Sequence, residues 1–154
     1  AALRDLHPSR SHTRDGSLDL GGGASLHWRE YGCTEGPAVL FVHGGPGAGC
    51  YATHARFFDQ DKWRVVLCDQ RGCGSSTPRG ELQGHTTQRL VEDFELLREH
   101  LGVDRWCLVG GSWGVALSLA YAVAHPGRVW GLVLRGVCLM RRQEVDWLYR
   151  DGSK

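Results

Sequence analysis

Five residues, Gly110-Gly111-Ser112-Trp113-Gly114, constrain this chain more than any other stretch. The apolar run Trp106-Cys107-Leu108-Val109 leads into them, and a small-residue segment from Val115 to Ala124 follows. The reading is strand, sharp turn, helix. A serine with glycines two residues to either side can be held in a strained conformation on such a turn. Its Oγ then stands clear of the sheet, at the positive end of the helix. That is how a nucleophile is presented for acyl transfer. A phosphate-binding loop would need Gly-Lys-Ser/Thr, or G-x-G-x-x-G with an acid about 20 residues further on. Neither is present. The bland alternative is a Gly-rich turn with no chemistry.

The order of elements supports the turn. Ser17–Leu20 and Ala24–Tyr31 alternate apolar and polar residues around Gly21-Gly22-Gly23, which predicts an antiparallel hairpin. Residues 1–16 are polar and expected to be irregular. Ala38–Val42, Arg64–Cys68, Trp106–Val109 and Val129–Leu134 are apolar runs of strand length. A short helix is expected near Tyr51–Phe58. Leu90, Val91, Phe94, Leu97 and Leu101 have helical spacing, with a threonine cap at Thr86-Thr87 and a stop at Gly102. Pro126-Gly127 stops the helix that follows Ser112, and Gln143–Arg150 begins another. Strands alternating with helices predict an α/β architecture: a mainly parallel sheet with helices on both faces, as in the α/β-hydrolase core. At 154 residues and 42% apolar content, one domain's worth of chain is present.

His43-Gly44-Gly45-Pro46-Gly47 follows the Ala38–Val42 strand. In this architecture that loop gives one donor of the oxyanion hole, and the residue after the nucleophile gives the other. The candidates are the N–H groups of Gly45 and Trp113. Asp69-Gln70-Arg71-Gly72-Cys73-Gly74 ends the next strand. Asp69 and Arg71 are read as turn-holding residues bonded to backbone, not as catalytic groups. Among the eight histidines, His43 is read as a hydrogen-bonded structural residue and His125 as a helix-end cap. None has metal-ligand spacing. Six cysteines form no C-x-x-C pair, so a zinc or thioredoxin-like motif is disfavoured. Cys68 and Cys107 read as small buried hydrophobes. The net charge of +1 and scattered arginines give no nucleic-acid or membrane signal, and no run approaches membrane-helix length. The expectation is a cytoplasmic protein without cofactor or metal.

With these residues in hand, the chain resembles the proline iminopeptidases. The matching strings are His43-Gly-Gly-Pro-Gly47, Arg56-Phe-Phe-Asp59, Trp63-Arg-Val-Val-Leu67, Asp69-Gln-Arg-Gly-Cys-Gly74, Leu97-Arg-Glu-His-Leu-Gly102, Gly110-Gly-Ser-Trp-Gly114, Leu119-Ala-Tyr-Ala122, His125-Pro126 and Leu134-Arg-Gly136. They follow in order over nearly the whole chain. The resemblance implies a metal-free serine peptidase that releases N-terminal proline from peptides, with Ser112 as nucleophile and Gly45 and Trp113 as the oxyanion hole. It also implies that Arg135, Cys138, Leu148 and Tyr149 line the substrate pocket. Family members are longer, and their triad Asp and His, cap and last strands have no counterpart here. The expectation is therefore a partial domain over 1–154, inactive alone and able to self-associate through an exposed sheet edge. Cys138 and Leu148 stand where the family carries aromatics, which weakens the case for proline. The alternatives are another serine hydrolase (an esterase or amidase) and a non-catalytic interaction module. Asp-nucleophile branches are disfavoured by the serine at 112.

Overall fold

The computed structural model describes residues 5–152. The hairpin forms as its glycines dictate. β1 (Arg14–Gly21) and β2 (Ala24–Gly32) pair antiparallel across Gly21-Gly22-Gly23, all three at positive φ. β1 starts at Arg14, three residues before the alternation becomes visible. Arg14 pairs with Glu30 across the ladder, and its guanidinium donates to the Glu30 carboxylate at 2.8 Å. The polar residues before Ser17 are thus partly strand, because a buried acid on β2 needs them; of the stretch expected to be irregular, residues 1–4 lie outside the described part. Arg64 donates to the same Glu30 oxygen at 2.9 Å, so two cations hold one fully buried carboxylate.

β3 (Ala38–Val42), β4 (Arg64–Cys68), β5 (Trp106–Gly111) and β6 (Val129–Arg135) complete one six-stranded sheet in the order β1-β2-β4-β3-β5-β6. β3 pairs parallel with β4 and β5, and β5 pairs parallel with β6. β2 pairs antiparallel with β4, which joins the hairpin to the parallel part.

Strand alternation divides the core in two. Leu40, Val66 and Leu108 face one side, against Leu90, Phe94 and Leu97 of α1 (Thr87–His100) and Leu117 and Tyr121 of α2 (Trp113–Ala124). Each such leucine or phenylalanine, fully buried, contributes about 1.5–3 kcal/mol. Thr86 caps α1, its Oγ1 accepting from Arg89 N at 3.2 Å, and Gly102 lies past the end at φ 64°. Val65 and Leu67 face the other side with Phe41, Ala55 and Phe58. The segment expected as a short helix there is a 3₁₀ turn, Ala52–Phe57. α1 and α2 thus share one face, and this 3₁₀ turn lies on the other. β6 is an edge strand carrying exposed Val133, Trp130 and Leu132. Past it, α3 (Arg142–Asp146) runs into a π-helical turn, Trp147–Asp151.

Candidate active site

Ser112 sits between β5 and α2 at φ 55°, ψ −122°, a conformation that non-glycine residues avoid. Holding it costs on the order of 1–3 kcal/mol, and such strain persists only where surrounding packing fixes it. The flanking glycines show how. Neither Gly110 nor Gly114 has positive φ; both are required by close approach. A Cβ at Gly110 would lie 2.4 Å from Gly114 O and 2.7 Å from Ser118 Oγ. A Cβ at Gly114 would lie 2.2 Å from Val42 O. The start of α2 therefore rests directly on the backbone of β5 and β3, and the chain can turn only through the residue between. Ser112 N donates to Arg135 O at 3.1 Å, which ties the elbow to β6. The Ser112 side chain does not cap the helix, and the residue is exposed.

The His43–Gly47 loop leans over this turn. A Cβ at Gly44 would lie 2.8 Å from Gly111 O and 3.4 Å from Ser112 Cβ. Gly45 has φ 114°, and a Cβ there would meet Gly47 N at 2.6 Å. This loop needs glycine three times, at Gly44 for proximity to the elbow and at Gly45 and Gly47, the latter at φ 98°, for backbone angle. Trp113 is the first residue of α2, where a helix N–H has no intrahelical partner.

His43 is buried at 2% exposure, and its Nε2 accepts from Gln70 N at 3.0 Å. Its Nδ1 lies 3.0 Å from Gly44 O and 3.3 Å from Gly49 N; with Nε2 accepting, the proton of the neutral ring sits on Nδ1 and is donated to Gly44 O. Burial lowers its pKa, only partly opposed by the bond to Gly44. It is a neutral structural residue. Four of the other histidines are engaged elsewhere. His54 stacks on Phe41, His85 meets Arg71 O at 2.8 Å, His100 packs on Trp28, and His125 ends α2 against Tyr121.

Asp69 also holds structure. Its Oδ1 accepts from Cys50 N at 2.6 Å and its Oδ2 from Ser75 N at 2.9 Å. Burial and this carboxylate push the Cys50 thiol up to about 12, so Cys50 is no nucleophile. Arg71 departs from its expected backbone role. Its guanidinium forms a two-pronged pair with Asp93 of α1, at 2.6 and 3.0 Å, both side chains nearly buried. The loop after β4 is thereby clamped to the helix layer.

A cavity of about 350 Å³ opens beside Ser112, lined by Gly136, Val137, Cys138, Arg141, Gln143, Glu144, Trp147 and Leu148. Glu144 accepts from Leu139 N at 3.1 Å and Arg141 N at 2.9 Å, which folds the lining loop back on itself. These bonds, that to Arg141 N first, lower its pKa and keep it charged. Of the four expected lining residues, Cys138 and Leu148 are here and two are not. Arg135 shares a face of β6 with Val133, two residues before it, and lines a second cavity with it, on the Phe41 side of the sheet. Tyr149 is exposed outside the cavity, and Trp147 contributes the aromatic wall in its place. Among the described residues no group of three or more His, Cys, Asp or Glu could hold a metal, and no helix is long and apolar enough to cross a membrane.

A family model for the alpha/beta hydrolase fold matches residues 37–150. A proline iminopeptidase of Arabidopsis thaliana is 49% identical over 150 residues, covering 97% of this chain and 40% of its own length. A proline iminopeptidase-related protein of Thermus thermophilus, known from its crystal structure, is 34% identical with a TM-score of 0.69, covering 79% of this chain and 43% of that one. An epoxide hydrolase structure from Vigna radiata is 28% identical with a TM-score of 0.74, covering 90% of this chain and 45% of that one. The chain spans less than half the length of the curated relatives it matches.

Proposed function

The chain belongs to the alpha/beta hydrolase fold family, and on that footing we propose that it carries the nucleophile half of a serine peptidase of proline-iminopeptidase type. The observation that carries this is the strained Ser112 elbow with the His43–Gly47 loop packed against it. The Oγ of Ser112 attacks the carbonyl carbon of an N-terminal prolyl residue. The oxygen of the tetrahedral adduct is received by Gly45 N–H and Trp113 N–H, each donor being worth about 10²–10³ in turnover. The adduct collapses to a prolyl ester on Ser112 and releases the shortened peptide. Water then frees the proline.

The proton of Ser112 must pass to a histidine oriented by a carboxylate. The five histidines described above are committed elsewhere, and in this reading the pair is supplied by residues other than these. In this fold it follows the nucleophile in chain order. Loss of such a histidine costs about 10⁶ in turnover, so the chain alone hydrolyses at near background. Serine at 112 sets the chain apart from Asp-nucleophile enzymes, whatever the likeness of the scaffolds. The cavity volume lies at the small end of the range of about 300–1,000 Å³ usual for ligand sites, which suits a single residue.

The test is complementation. The chain is co-expressed with the carboxyl-terminal half of the Arabidopsis relative, and prolyl and alanyl arylamides are compared. Prolyl turnover should require both halves and vanish in Ser112→Ala. Cys138→Phe should raise the proline-to-alanine ratio of kcat/KM by tenfold or more, since filling a pocket is worth about 1–3 kcal/mol. Turnover that survives Ser112→Ala would overturn the assignment.

A further inference from the structure

Among the described residues, Gln70 is a fully buried side chain that touches both walls of the proposed oxyanion hole. Its Nε2 donates to His43 O at 2.8 Å, and its Oε1 accepts from the Trp113 indole Nε1–H at 3.2 Å. Its backbone N–H donates to His43 Nε2 at 3.0 Å. The amide orientation is fixed by chemistry. A backbone carbonyl can only accept and an indole N–H can only donate, so nitrogen must face His43 and oxygen must face Trp113. A carboxylate could not donate to His43 O, and a lysine could not accept from Trp113. Asparagine has the right groups but is one methylene shorter.

The two contacts lie on different elements. His43 O belongs to the residue that opens the 43–47 loop, two positions before Gly45. Trp113 carries the second donor on its own backbone. The β4 end thus reaches across, through one amide, to the end of β3 and the start of α2. We propose that Gln70 is a positioning residue that sets the spacing between the Gly45 and Trp113 N–H groups. This rests on those two groups being the oxyanion donors. Gln70 touches no reacting atom. It acts by removing the freedom of the loop and of the Trp113 side chain to shift independently. Misplacement of a catalytic donor by about 1 Å costs about 10²-fold.

The experiment uses the ¹⁵N-labelled chain with two substitutions. Gln70→Met keeps bulk and removes both side-chain bonds. Trp113→Phe removes the indole donor from a residue that is only partly buried, and it stands in if Gln70→Met fails to fold. In Gln70→Met the Trp113 indole N–H should lose protection from solvent exchange by tenfold or more, and the Gly45 and Trp113 amide signals should both move. In Trp113→Phe the Gly45 amide should move although position 113 does not touch that loop by hydrogen bond. An unmoved Gly45 signal in a folded variant of either kind overturns the proposal. In parallel, the rate at which a fluorophosphonate labels Ser112 is measured on the chain complemented with the carboxyl-terminal half of the Arabidopsis relative, with Ser112→Ala as blank. A tenfold or greater fall in Gln70→Met, at unchanged melting temperature, supports positioning. Loss of rate that only follows loss of fold refutes it. Label that persists in Ser112→Ala sinks the hydrolase reading, while the amide signals still decide the coupling.

Discussion

Gly114→Ala asks whether the elbow is built by packing. The new Cβ would lie 2.2 Å from Val42 O and 3.1 Å from His43 O, where ordinary contact begins at 3.4 Å. Both obstacles are backbone, so no side chain can rotate aside. The start of α2 must retreat from β3 by roughly 1 Å. Alanine recovers at most about 1 kcal/mol of helix propensity. Overpacking costs about 1–3 kcal/mol, and a backbone clash belongs at the upper end. The net loss is about 1–2 kcal/mol. For a chain of this size, a melting temperature lower by about 2–8 °C follows. Gly127→Ala is the control, because a Cβ there meets nothing within 4 Å. Both variants are followed by circular dichroism melts. The same retreat carries Trp113 N–H away from Gly45, so the complemented enzyme should lose about 10²-fold in kcat. A Gly114→Ala chain as stable as Gly127→Ala would refute the packing account of the elbow.

Two other outcomes follow from buried and exposed groups. Burial holds His43 and His54 below the ordinary imidazole value. The unfolded chain then takes up these protons first. Their contribution to stability is complete above about pH 6.5 and is lost as pH falls through the folded values. Urea midpoints measured from pH 7.5 down to 5.5 should fall, and a flat or rising trend would contradict the neutral His43. Separately, β6 exposes Val133 at 56% on a strand paired on one side only. Such edges recruit other chains. Val133→Lys should shift sedimentation toward monomer, and a parent chain that is already monomeric at high concentration removes the edge as a site of self-association.

The fold was largely legible because its signals are local. The spacing of Leu90, Val91, Phe94 and Leu97, the Thr86 cap and the four apolar runs each specify an element without reference to the others. The elbow was legible from five residues. What escaped depends on pairing across the chain. Arg135 was placed at the Ser112 cavity, yet its register opposite Gly111 and the face it shares with Val133 put it on the Phe41 side of the sheet. The partner of Arg71 had a signal that went unread. Asp93 lies on the apolar stripe of α1, between Val91 and Phe94, and an acid there needs a buried cation. Gln70 gave no such signal. In a loop with Asp69 and Arg71 a neutral amide draws no notice, and its bifunctional role exists only once His43 and Trp113 are brought together.

The elbow separates what is fixed from what is free. Gly110 and Gly114 are enclosed by main-chain atoms, while the side chain between them points into open space and supports no part of the framework. Substitution at 112 is limited by one backbone angle, which β-branched residues cannot accept and short polar ones tolerate best. A lineage can therefore exchange the reagent at the tip and keep the mount. That is a physical basis for one mount accepting different short polar side chains at its tip at little cost to the framework.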